Sequence, residues 1–158
     1  MKKLLLINIL LILFISCSGD KENSTVGPIT LEFDNRPDEH PGLSIMYDVT
    51  DIKLKRDDGF IFDNKSQSYH VDASDEGSQE ISLKNVPAGN YIEVTFTVKS
   101  LAVHGDFDFT SAESTHTLMT TAVPVRVEHE PEVHLIFNVD KVNTNLQDAF
   151  VVDHIHAN

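Results

Sequence analysis

The chain has 158 residues, a single cysteine, no tryptophan, and 12 Lys and Arg against 25 Asp and Glu, for a formal net charge of −13. With no basic cluster anywhere, that balance sets aside nucleic acid and anionic lipid headgroups as partners. One cysteine closes no internal disulfide, so a packed core has to supply the stability.

The chain opens with Lys2 and Lys3, an apolar run over 4–14, and then Ile15-Ser16-Cys17-Ser18-Gly19. A basic start, a short apolar stretch and a small residue before cysteine describe a secretory signal, well short of the about 20 apolar residues that span a bilayer. Cysteine at that place reads as a bacterial lipoprotein acceptor, cut between Ser16 and Cys17 and then acylated, which predicts a protein tethered to a membrane without crossing it. Residues 1–16 are then the signal peptide and 17–28 the lipidated cysteine with a flexible, polar tether. Asp20, Lys21 and Glu22, directly behind the cysteine, resemble the acidic export tags of surface lipoproteins, although a solvated linker has the same composition. Residues 29–158 form one domain.

From Ile29 onward apolar residues alternate with period two, the pattern of strands with one wet face. In chain order the segments are Ile29-Leu31-Phe33, Leu43-Ile45-Tyr47, Ile52-Leu54, Tyr69-Val71, Ile81-Leu83, Ile92-Val94-Phe96-Val98, Val123-Val125-Val127 and Val133-Leu135-Phe137-Val139. Turn residues divide them, for example at Asp57-Asp58-Gly59, at Pro87-Ala88-Gly89-Asn90 and at Glu130-Pro131-Glu132. That spacing predicts an all-β fold, an antiparallel β-sandwich of immunoglobulin-like kind. The stretch 101–121 reads as a longer, irregular connection. Near the C-terminus Thr144 and Gln147 are spaced as a capping box before Leu146, Ala149 and Phe150, so a helical turn or two is expected there.

Enzyme signatures are thin. The chain has no Gly-rich phosphate loop and no Gly-x-Ser-x-Gly, and acylation would consume its one thiol, so a non-catalytic protein is expected. The Asp-Gly stretches at 57–59 and 72–77 lack the ligand spacing of a calcium loop and read as turns. Histidine is the unusual feature, because eight are present: His40, His70, His104, His116, His129, His134, His154 and His156. His104, Asp106 and Asp108 alternate along one strand face, and His154 and His156 form another such pair. His129 and His134 straddle the turn at Glu130-Pro131-Glu132, a placement that would let them face each other across a hairpin. Imidazole with carboxylate or thioether suits zinc or copper, and Met119, three residues after His116, would add a soft ligand for Cu(I). The expected metal set is therefore His70, His104, Asp106, Asp108, His116 and Met119, gathered around the 101–121 connection. Taken singly, each also reads as an ordinary solvated polar face.

Several segments together carry a family resemblance. Ile29-Thr30-Leu31-Glu32-Phe33-Asp34, the stretch 51–59, Tyr69-His70-Val71-Asp72, the stretch 81–91 with Val86-Pro87-Ala88-Gly89-Asn90-Tyr91, and the stretch 133–141 resemble, in order and spacing, the MbnP-like family of exported bacterial proteins. The resemblance implies a β-sandwich associated with copper and methanobactin, in which histidines and a tryptophan oxidised to kynurenine form the metal site. Tryptophan is absent here, which excludes a kynurenine-type site and leaves His116, His70 and Met119 to carry any inherited copper binding. The expected function is a lipid-anchored envelope protein, on the outer membrane, that binds copper ahead of zinc. The alternative is a surface module that contacts a protein or glycan through its loops or a strand edge.

Overall fold

The computed structural model describes residues 25–34, 43–65, 67–72, 78–105, 108–142 and 144–157. The expected signal peptide over 1–16, Cys17, His40 and Asp106 lie outside the described residues. The strands are β1 (Val26–Asp34), β2 (Ser44–Arg56), β3 (Ile61–Asn64), β4 (Tyr69–Asp72), β5 (Gln79–Pro87), β6 (Gly89–His104), β7 (Phe109–Val125), β8 (Pro131–Phe137) and β9 (Phe150–Ala157). They form two sheets in the orders β5-β1-β8-β9 and β3-β2-β6-β7, with β4 also paired to β2. The expected all-β sandwich is the fold. One pair departs from the antiparallel expectation: β1 and β8 run parallel, which is accessible because most of the chain lies between them to make the crossover.

Strict alternation fails at particular residues, and the failures share a geometry. Buried positions step from Val49 to Ile52, from Leu83 to Val86 and from Val98 to Leu101, three residues instead of two. Within each step one residue has left-handed backbone: Asp51 (φ 52°), Asn85 (φ 59°) and Ser100 (φ 54°). At Asp51 and Ser100 the β2–β6 register shifts as well. An extra residue in a strand re-aims every side chain beyond it, so beyond each bulge the other sequence parity faces the core. Short polar side chains tolerate the left-handed region better than branched ones do. A further shift between Tyr91 and Glu93 turns Tyr91 inward instead of Ile92.

The core between the sheets centres on aromatic rings. Phe33 meets Phe96 edge-on with centroids 5.3 Å apart, and Phe150 meets Phe96 at 5.2 Å and Phe137 at 4.9 Å. Phe96 and Phe137 are both buried, as the alternation requires. The Tyr91 hydroxyl, in a burial that pushes its pKa up, donates to the Pro87 carbonyl at 2.7 Å and so pins the β5–β6 turn. At the same end Arg56 forks onto Asp58 and donates to the Ala88 carbonyl, which holds the Asp58 carboxyl down at a pKa of about 2.

Three expectations need correction. The tether does not run to Pro28: β1 begins at Val26, and Thr25 already accepts a hydrogen bond from Ala88 N at 2.7 Å. The stretch 101–121 is not an irregular connection, because its residues 101–104 and 109–121 belong to the paired strands β6 and β7. Its Ser and Thr residues read as loop, yet Thr suits a half-exposed strand and Thr95 and Thr117 bond across it at 3.1 Å. The capping box does not form either. Thr144 Oγ1 donates to the Lys141 carbonyl instead, and Asn145 caps a single 3-10 turn, Leu146–Asp148, while Phe150 opens β9.

Candidate metal centre

The expected ligands are dispersed. His70 sits on the exposed face of β4 with Nδ1 2.9 Å from Asp48, and His104 closes β6 with Nδ1 2.9 Å from Asp108. In the second sheet β4 is separated from β7 by β2 and β6, about 14 Å at ordinary strand spacing, so His70 and His116 cannot share one ion. His116 is fully buried on the core face of β7, 5.6 Å from Phe96 and 4.7 Å from Phe150. Its Nε2 pairs with Ser114 Oγ at 2.9 Å. Its Nδ1 closes no hydrogen bond of normal geometry. Burial holds its pKa below the usual histidine value, opposed only in part by the nearby Gln147 backbone. Met119, an odd number of residues along the same strand, points to the opposite face and is 66% exposed. Among the described residues no three of His70, His104, Asp108 and His116 converge.

A different set does converge, on the outer face of the first sheet. His134 projects outward from β8 because Val133 and Leu135 on either side of it are buried. Across the ladder it faces Glu32 of β1 on one side and His154 of β9 on the other, while Glu132 faces His156. The β8–β9 register shifts between His134 and Leu135, with Asp153 the extra residue. Without that bulge, His154 and His156 would continue the inward row of Phe150 and Val152. With it, both imidazoles stand beside His134.

Three imidazoles and three carboxylates lie close together on this face. The rings of His134 and His154 stack at 3.8 Å, and the His156 ring lies edge-on, 5.2 Å from the first and 4.6 Å from the second. One nitrogen from each falls within a 4.8 Å group, and Glu32, Glu132 and His134 form a second group that shares His134. Glu32 Oε2 lies 2.6 Å from His134 Nδ1, and Asp153 Oδ2 lies 2.7 Å from His154 Nδ1. A carboxylate on Nδ1 fixes the tautomer that leaves Nε2 with a free lone pair, the usual arrangement behind a metal-bound histidine. His134 Nε2 is buried and has no hydrogen-bond partner, with Glu132 Oε2 next to it at 3.9 Å. A buried polar nitrogen without a partner costs stability unless something occupies its lone pair.

The sequence exposed half of this site. The His154/His156 pair was legible from its spacing, but its partner was not, because β9 carries a bulge that hides its alternation. His129 does not face His134; it bridges back to Arg126 inside the turn. All donors in the cluster are nitrogen or oxygen, a set that suits Cu(II) or Zn(II) and lacks the soft sulfur that selects for Cu(I). No family profile, no curated protein and no solved structure matches this chain.

Proposed function

We propose that this protein is a lipid-anchored, non-catalytic component of the bacterial envelope, on the outer membrane, that binds a divalent transition-metal ion through His134, His154 and His156. Glu132 stands beside them as a fourth ligand, and Glu32 and Asp153 orient the imidazoles from behind. The observation that carries the reading is the buried, unpartnered Nε2 of His134, on a ring packed beside two further imidazoles while a carboxylate occupies its other nitrogen. Copper comes ahead of zinc because nitrogen and oxygen sites bind Cu(II) more tightly than Zn(II). The lipoprotein signature around Cys17 and the resemblance to the MbnP-like family support the location and the metal.

Calorimetry with Cu(II), Zn(II) and Cu(I) tests the site. One stoichiometric site is expected for Cu(II) and a weaker one for Zn(II), with Cu(I) measured alongside for comparison. His154→Ala and His156→Ala, at exposed positions, abolish or sharply weaken binding, whereas His116→Phe in the core leaves it unchanged. Ligation needs neutral imidazole, so affinity falls as the pH drops into the range where histidine protonates. Absence of any stoichiometric site tighter than micromolar would remove the metal reading.

A further inference from the structure

Among the described residues six large apolar side chains stand exposed: Val26, Phe60, Ile61, Met119, Val127 and Val151. Five of them gather at one end of the sandwich. The ladders place Ile61, Lys55, Glu93 and Met119 in one row across β3, β2, β6 and β7. Beyond that row the Phe60 ring packs 4.9 Å from the Arg56 guanidinium, and Arg56 reaches the Ala88 carbonyl at 2.9 Å. Ala88 in turn donates to Thr25, Val26 lies opposite Pro87, and Val127 lines a hollow with Thr25, Ala88 and Arg126. Only Val151, opposite Ile136, belongs to the far end.

This is also the end at which the chain arrives from Cys17. Cys17 and Thr25 are eight positions apart, and at full extension that length reaches no more than about 28 Å. An acyl chain on Cys17 therefore holds this end of the domain close to the headgroups. Its charge fits such a contact: Lys55, Arg56 and Arg126 stand against Asp57, Asp58, Glu93 and Glu128, with Lys55 bridged to Glu93 and Arg56 to Asp58. A molecule of net charge −13 is thus close to neutral here, where carboxylates would oppose approach to a membrane. Exposed aromatic and aliphatic groups rimmed by paired charges are the composition of a surface that seats in the interfacial layer of a bilayer.

We propose that this apolar end docks on the phospholipid surface carrying the Cys17 anchor, an inference that rests on the lipid-anchor reading. Docking would fix the sandwich upright and leave the His134 face turned sideways, open to solvent. The test uses the lipidated full chain on phosphatidylcholine vesicles, with Phe60→Cys, Val127→Cys or Val151→Cys carrying an environment-sensitive fluorophore. Spin-labelled lipid should quench the labels at 60 and 127 several-fold more than the label at 151, and added salt should change this little. Flotation of the same samples reads the anchor itself. A chain that floats while its labels at 60 and 127 are quenched no more than that at 151 overturns the docking inference and leaves the anchor standing. Labels that shift to the blue without lipid quenching mean that protein covers this end, which overturns it as well. A chain that does not float overturns both.

Discussion

Glu32 shows how much a single outward residue decides. It lies in the alternating stretch Ile29 to Phe33, where period two assigns it to solvent, and its carboxylate instead takes Nδ1 of His134 at 2.6 Å. Glu32→Gln retains the shape but removes the carboxylate that orients the imidazole, so metal affinity should fall about 10- to 100-fold with little change in the apo melting temperature. Equal affinities in a calorimetric comparison would show that Glu32 plays no part in orienting the ligand. His116 has the opposite character, a core histidine stacked against Phe96. Burial holds its folded pKa below that of an ordinary histidine, so the unfolded chain binds the extra proton first. Stability is therefore complete above the unfolded value and declines as the pH falls below about 6.5. Urea denaturation should show a smaller loss between pH 7 and pH 5 for His116→Phe than for wild type. An identical loss in both would place the proton uptake elsewhere. Gly27 is a further steric constraint, since a Cβ there would come within 2.3 Å of the Arg126 carbonyl oxygen. Gly27→Ala should cost about 1–3 kcal/mol in the same denaturation series.

At the scale of the element, the bulges explain what was legible in the sequence and what was not. The alternation in β1, β8 and the middle of β6 located those strands and their buried faces, because nothing interrupts period two there. The inward rows of β2, β5 and β6 each change parity at a left-handed residue, and β9 changes parity at Asp153. A pattern search then sees two short fragments or none. That is why β2 read as two strands and why β9, the strand that brings two histidines to the site, is missing from the alternating segments apart from the His154/His156 pair. Metal-ligand spacing along the chain failed for the same reason, since His134 and His154 are neighbours only through the ladder. The bulges themselves are testable. Asp51→Val puts a branched side chain where φ is 52°, at a cost of roughly 1–2 kcal/mol, whereas Asp51→Gly should be close to neutral. If both variants unfold at the wild-type urea midpoint, Asp51 does not hold the bulge.

At the scale of the molecule, the two sheets divide the work. The second sheet, with its long β6–β7 hairpin, supplies most of the apolar wall and carries His116 inside it. The first sheet presents an outer face on which Glu32, Glu130, Glu132 and Asp153 surround three imidazoles, and Glu130 is held there by Thr30 and Ser82 at 2.9 and 3.2 Å. A cluster of carboxylates raises the local concentration of cations and speeds their capture. Because the site exists only in the folded sheet, a bound ion also stabilises the fold, by about 2.7 kcal/mol at free metal 100-fold above the dissociation constant. Thermal melts with and without Zn(II) should separate accordingly for wild type and coincide for His154→Ala. The most direct measurement is the electron paramagnetic resonance spectrum of the protein with one equivalent of Cu(II). The account predicts a single species with nitrogen hyperfine structure from the imidazoles, reduced in His156→Ala, lost in His154→Ala/His156→Ala and preserved in His70→Ala and His104→Ala. A wild-type spectrum that survives the double change, or that collapses on changing His70 or His104, would contradict a centre built on His134, His154 and His156.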